Sequence, residues 1–186
     1  RNRHGRVKQA KTLLKERISI HARPQEINER KGFGHWESDS MVFSKQNEGL
    51  SVQYERSMQL VRINKIANRS AQETEDALRN SIESLPEKSF KTLTFDNGSE
   101  GAHHMIIRDE FRIGTYFCDP YASWQKGGVE NMNGLIRQYL PRKTDLSQLT
   151  DRDIYLIQER LNNRPRKGLG YKTPNKKLQE YLEAVH

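Results

Sequence analysis

The clearest alternation of apolar and polar positions lies at residues 50–55. Leu50, Val52 and Tyr54 are interleaved there with Ser51, Gln53 and Glu55, the period-two pattern of a half-buried strand. A run of strand composition precedes it at 34–43, a turn at 45–49 joins the two, and 60–66 reads as a third strand. Residues 34–66 are therefore expected to form an antiparallel meander. The period then changes. Ser70 and Glu73 have the spacing of a capping box, Leu78, Ile82 and Leu85 follow at helical intervals, and Pro86 closes the segment. A fourth strand over 90–95 ends at the turn signal Asp96-Asn97-Gly98. A short helix over about 102–111 and a fifth strand over about 113–118 follow.

After a Pro/Ser/Gly loop a further helix is expected to open at Glu130, with Met132, Leu135, Ile136 and Leu140 on its apolar side. Thr150 and Asp153 cap another helix, carrying Ile154, Ile157 and Leu161, that stops before Pro165. Thr173-Pro174 starts the last one, with Leu178, Tyr181, Leu182 and Val185. The order βββαβαβα, then trailing helices, implies an α/β domain with a mixed five-stranded sheet flanked by helices.

Composition refines this picture. The chain has 186 residues, 33% hydrophobic and 30% charged, with a net charge of +8, which points to a polyanionic partner. Seven of the basic residues fall within residues 1–17 against one acid, Glu16. That stretch reads equally as a solvated tail or as a phosphate-contacting arm. Residues 1–30 are assigned to a basic arm and linker, with little regular structure from Pro24 to Lys31, and residues 31–186 to the folded core. No apolar run approaches 18 residues and no signal-peptide pattern is present, so no membrane span is expected. The single cysteine, Cys118, excludes an internal disulfide and reads as a buried strand thiol. His103-His104 lacks accompanying ligands for a zinc site.

Three acids stand where local propensity would place something else. Asp39 interrupts the first strand, Asp96 ends the fourth, and Glu130 follows a Gly-rich loop. If they meet, their mutual repulsion calls for a divalent hard cation such as Mg²⁺ or Mn²⁺, and two such ions could bracket a phosphodiester. Glu37, which projects from the same side of the strand as Asp39, and Glu100, close to Asp96, compete for the same roles. Glu130, Asn133 and Arg137 share one helix face at i, i+3 and i+7.

The blocks Phe33-Gly-His-Trp-Glu-Ser-Asp39, Thr94-Phe-Asp-Asn-Gly98, Asp119-Pro-Tyr-Ala-Ser-Trp-Gln-Lys-Gly127, Glu130-Asn-Met-Asn-Gly134 and Leu161-Asn-Asn-Arg-Pro-Arg166, with Gly170-Tyr-Lys-Thr-Pro174, resemble the signature blocks of bacterial insertion-sequence transposases of the IS30 family, within the retroviral-integrase-like acid-triad superfamily. The 33 residues between Asp96 and Glu130, and Arg137 seven residues after Glu130, match that pattern.

The resemblance implies an RNase H-like fold and makes Asp39, Asp96 and Glu130 the catalytic metal ligands, which decides against Glu37. It implies Asn97, Gln125, Lys126, Asn133 and Arg137 as DNA contacts, with Tyr121 and Trp124 as candidates to stack on a frayed base. The implied activity is cleavage at transposon ends and transfer of the 3′-OH into target DNA, with two Mg²⁺ or Mn²⁺ ions. The expected partners are transposon ends and target DNA, with no membrane, and the chain would act as a homodimer or higher oligomer at the bacterial nucleoid in the cytoplasm. A ribonuclease H-like nuclease that cuts without joining, and a non-catalytic basic DNA-binding domain of a decayed element, are the alternatives. The chain departs from the family pattern at Gly101, where an aromatic is usual, and at Lys176, where an acid is usual.

Overall fold

The computed structural model describes residues 16–185. The meander forms as β1 (His35–Val42), β2 (Gly49–Glu55) and β3 (Val61–Ile66), paired antiparallel. β4 (Thr92–Phe95) adds parallel to β1, and β5 (Gly114–Phe117) parallel to β4, giving the sheet order β3-β2-β1-β4-β5. The helices are α1 (Ala71–Glu83), α2 (His104–Phe111), α3 (Gly127–Tyr139), α4 (Asp151–Asn162) and α5 (Pro174–Val185). None among the described residues is long and apolar enough to cross a membrane.

Strand alternation sends two sets of apolar side chains to opposite faces of the sheet. Met41, Leu50, Val52 and Ile63 pack with Val129, Met132 and Ile136 of α3 and with Ile154 and Leu161 of α4. Trp36, Leu93, Phe95 and Phe117 pack with Leu78 of α1 and Ile107 of α2. Trp36 stacks on Phe90 with ring centroids 4.1 Å apart, and its indole N–H donates to the Ser89 carbonyl at 2.8 Å. Glu37, Asp39 and Met41 alternate with Trp36 and therefore share the face that α3 covers.

β3 is an edge strand whose outward backbone groups need partners. α4 supplies them from positions four apart. Asn162 accepts from the Val61 N–H and donates to the Val61 carbonyl, both at 2.9 Å, and Gln158 accepts from the Ile63 N–H at 2.9 Å. At the other edge the Phe117 N–H donates to the Ile18 carbonyl at 2.9 Å, and Ser19 bridges Phe117.

Several caps form as expected. Thr150 and Asp153 make the reciprocal box at the start of α4. At α1 the Ser70 hydroxyl accepts from the Glu73 N–H, but Glu73 turns its carboxylate to the Ala67 N–H instead of completing the box. The stretch up to Lys31 departs further from expectation. Gln25–Asn28 forms a helical turn, Ile20 and Ile27 are buried, and Arg23 donates to Thr94 at 3.0 Å. Its apolar residues are too sparse to show a period, yet Ile20 and Ile27 are both buried. Residues 1–15 of the basic arm lie outside the described residues.

Candidate functional site

Strand register brings the first two acids together. Glu37 pairs with Thr94 across the parallel β1–β4 ladder, so Asp39, two residues on, stands level with Asp96. Thr94 alternates with Leu93 and Phe95, and Asp96 leaves the sheet on the same side as Asp39. α3 crosses that face and contributes Glu130. Asp39, Asp96 and Glu130 all line one open cleft of about 880 Å³, together with Arg17, Asn97, Cys118, Tyr121 and Lys126.

The beginning of α3 explains how Glu130 arrives there. The helix starts at Gly127, three residues before the expected Glu130. Its first turn is held from below by Glu37, whose carboxylate accepts the Val129 N–H at 2.8 Å while also pairing with Arg56. A helix N-terminus offers unsatisfied N–H donors, and a buried carboxylate is a strong acceptor for one of them. Gly128 makes the approach feasible. A Cβ there would stand 2.4 Å from the Tyr54 ring and 2.8 Å from Glu37 Oε2. Glu37 is thus fully enclosed beneath the helix, two residues from an acid that faces the cleft.

Asp39 is held on both oxygens. Lys126 Nζ donates to Oδ1 at 3.0 Å and the Asn133 amide donates to Oδ2 at 2.7 Å. The same ammonium donates to the Ser38 carbonyl at 2.8 Å and lies 4.0 Å from Asp96 Oδ2. Asp96 Oδ1 accepts the Gly98 N–H at 2.7 Å, closing the turn. Arg17 clamps that turn from outside through the Asn97 carbonyl (3.1 Å), the Asn97 side chain (2.6 Å) and the Gly98 carbonyl (2.9 Å). Its guanidinium lies 4.4 Å from the centre of the Phe117 ring.

The loop between β5 and α3 is tied to itself. Gln125 accepts from the Asp119 N–H and donates to the Asp119 carboxylate, both at 2.8 Å, and His21 reaches the same carboxylate at 2.7 Å. The Gln125 bond, then the His21 bond, hold the Asp119 carboxyl below its ordinary range. Tyr121 is fully exposed with a left-handed backbone (φ 62°), and Trp124 is 73% exposed. Burial pushes the Cys118 thiol up to about 11, which agrees with an inert buried thiol.

The residues expected near DNA divide into two groups. Asn97 and Lys126 line the cleft, whereas Gln125, Asn133 and Arg137 are used inside the protein. Arg137 donates to the Val42 carbonyl at 2.6 Å and to the Leu140 carbonyl at 3.4 Å, and stacks over Phe43 at 4.4 Å. Burial, then Arg142, lower its pKa. Arg17 was legible only as one more basic residue of the arm, and its place at the cleft depends on the Ile18–Phe117 pairing. At Gly101 a Cβ would approach Phe117 to 3.0 Å, and Phe95 stacked on Phe117 occupies the adjoining space. Gly101 therefore faces space that the two rings already fill.

Among the described residues no three His, Cys, Asp or Glu side chains stand close enough together to hold a metal ion. The donor set nonetheless suits a hard cation. It consists of one carboxylate within β1, one just past the end of the neighbouring β4, a third one turn into a helix, and an ammonium lodged between the first two. The side-chain oxygen of Asn133 is also buried without a partner beside Asp39.

No family model matches the chain. Among curated proteins it is 39% identical over 160 residues to the transposase InsI of insertion sequence element IS30A from Escherichia coli K12, covering 86% of this chain and 42% of that protein. It is 37% identical over 169 residues to the transposase of IS1086 from Cupriavidus metallidurans (91% and 50%), and 35% identical over 184 residues to that of IS4351 from Bacteroides fragilis (97% and 55%). The chain spans about half the length of these relatives. Among solved structures it resembles the catalytic core domain of BIV integrase (TM-score 0.63, 21% identity, 83% of this chain and 99% of that one). It also resembles the HTLV-2 integrase catalytic core domain in complex with magnesium, in a trimeric form (TM-score 0.60, 20% identity, 77% and 94%). The fold is RNase H-like.

Proposed function

We propose that, over the residues matched, the chain belongs with the insertion-sequence transposases of the IS30 family and is the catalytic core of a DNA transposase, cutting at the ends of its element and joining the freed 3′-hydroxyl to target DNA. The observation that carries this reading is that Asp39, Asp96 and Glu130, brought from two neighbouring strands and a helix, line the same cleft. Those three carboxylates would hold the divalent ion, Mg²⁺ or Mn²⁺ and two of them in the full reaction. When bound, such ions supply charge neutralisation at the phosphate and an activated oxygen nucleophile.

The protein's own part is positional. Glu37 and Gly128 seat the helix that presents Glu130, and Arg17 and Gly98 set the turn that presents Asp96. Asn133 orients Asp39 through its amide. In cleavage the oxygen of water attacks phosphorus and the 3′-oxygen departs as a hydroxyl. In joining, that 3′-hydroxyl attacks a phosphodiester of the target, and the target strand leaves with its own 3′-hydroxyl. Tyr121, fully exposed at the rim, offers a face on which a frayed base can stack. Asn97 and Lys126 would meet the DNA at the cleft, while Gln125, Asn133 and Arg137 would act by shaping it. Two ends must be handled together, so the active form is a homodimer or larger.

The test is a strand-transfer assay with a pre-cut end duplex and a target duplex in Mn²⁺. Joined product supports the reading. Cleavage without joining points to a nuclease of the same fold. DNA binding with no chemistry, unchanged in Asp39→Asn, Asp96→Asn and Glu130→Gln, points to a non-catalytic binding domain.

A further inference from the structure

Lys126 is an unusual lysine. It sits at the start of α3 among exposed neighbours, yet only 4% of its surface is accessible. Lysine ammonium groups are strongly hydrated and are rarely buried without partners. Here the partners are three oxygens: the Ser38 carbonyl at 2.8 Å, Asp39 Oδ1 at 3.0 Å and Asp96 Oδ2 at 4.0 Å. Two of the three ammonium N–H donors are spent on the first two, and Asp96 is near enough for an ion pair but not for a hydrogen bond. Side by side, the Asp39 and Asp96 carboxylates repel, and a positive charge between them removes the conflict.

We propose that Lys126 is a resident counter-ion that occupies the cation position between Asp39 and Asp96 and must release Asp39 before a divalent ion can bind there. The proposal rests on the metal-dependent reading of the same cleft. Two cations cannot share the Asp39 Oδ1 lone pairs at contact distance, because their mutual repulsion would exceed what either gains. The ammonium is therefore a competitor for the site, tethered by its own four-carbon stem and never free to diffuse away. It keeps the two acids assembled without metal, and it lowers the affinity for metal in return. Once released from Asp39, the tethered charge stays at the cleft that would receive a phosphate, so metal entry and phosphate binding favour one another.

The experiment compares the full chain with Lys126→Gln by calorimetric titration with Mn²⁺ and by thermal denaturation with and without it. Removing a tethered competitor is expected to tighten Mn²⁺ binding about tenfold, or about 1.4 kcal/mol. The metal-free variant should melt several degrees lower than the wild type, and saturating Mn²⁺ should close that gap. A lysine with a merely structural role would instead weaken Mn²⁺ binding when lost. Equal or weaker affinity in the variant, with clear binding to the wild type, overturns the proposal and leaves the metal reading standing. Absence of Mn²⁺ binding to both proteins overturns the two together. Should the glutamine variant fail to fold, Lys126→Met retains the packed stem, removes only the charge, and carries the same comparison.

Discussion

Glu37 and Asp39 are acids two residues apart on one strand, pointing to the same face of the sheet. Glu37 is completely buried, paired with Arg56 and bonded to the Val129 N–H. Asp39 opens onto the cleft, where its partners are an ammonium and an amide. The difference comes from what lies above each residue. The first turn of α3 closes over Glu37, whereas Asp39 lies in the wall of the cleft beside Asn133 of the same helix. One carboxylate is enclosed in the fold, and the other is open to the cleft, where the proposed chemistry would use it. Chemical type and spacing are shared between them, so it is the covering element that separates their roles.

The largest expected effect is on activity. Asp39→Asn should reduce cleavage and joining by about three orders of magnitude, the scale of several kcal/mol of lost charge stabilisation, while the melting temperature moves little. Gel-based strand-transfer rates and denaturation on the same preparations check it. Glu37→Gln should do the reverse. It breaks a buried ion pair and should cost about 3–5 kcal/mol of folding stability. Activity per folded molecule would fall much less than in Asp39→Asn, and a loss equal to that of Asp39→Asn with unchanged stability would erase the contrast.

Smaller effects test whether buried polar groups elsewhere behave as Glu37 does. Asn162→Ala leaves the Val61 N–H and carbonyl of the edge strand without partners and should cost about 1–3 kcal/mol in urea denaturation, with joining by the folded fraction unchanged. His104 is 1% exposed, and burial, then Arg17 and Arg108, bring its pKa down to about 4. A folded pKa below the unfolded value means the neutral form is favoured. The unfolded chain takes up a proton near pH 6.5 and the folded one only near pH 4, so stability is intact above 6.5 and declines as pH falls through that window. The slope should not exceed about 1.4 kcal/mol per pH unit, and His104→Gln should flatten it. The smallest effect is at Cys118, whose raised pKa predicts slow alkylation at neutral pH in the folded protein and rapid alkylation in denaturant.

Much of this architecture could be read along the chain. Leu50, Val52 and Tyr54 announced a strand by their period, Pro86 and Pro165 marked helix ends, and Thr150 with Asp153 formed the box their spacing implied. Each of those signals acts between residues a few positions apart. The site was legible in part. Asp39, Asp96 and Glu130 stood out because each breaks a local preference, and all three line the cleft. Glu37 broke the same preference and proved to be an anchor. Gln125 and Arg137, expected as DNA contacts, bond to the Asp119 carboxylate and the Val42 carbonyl. Nothing in their local context distinguishes a side chain that reaches outward from one that turns back on its own loop.

By itself the sequence determined the element types, their order, the polyanion-seeking charge and the short set of acids worth considering. These follow from backbone propensity and from hydrophobic periods of two and 3.6, which are properties of neighbouring residues. Only the tertiary structure decided which acid is covered and which is open, that Arg17 reaches the Asp96 turn, and that Lys126 lies between two carboxylates. Those outcomes depend on burial and on charges meeting across contacts of about 80 to 90 residues in separation, where solvation and Coulomb energy act through space and no local pattern records them.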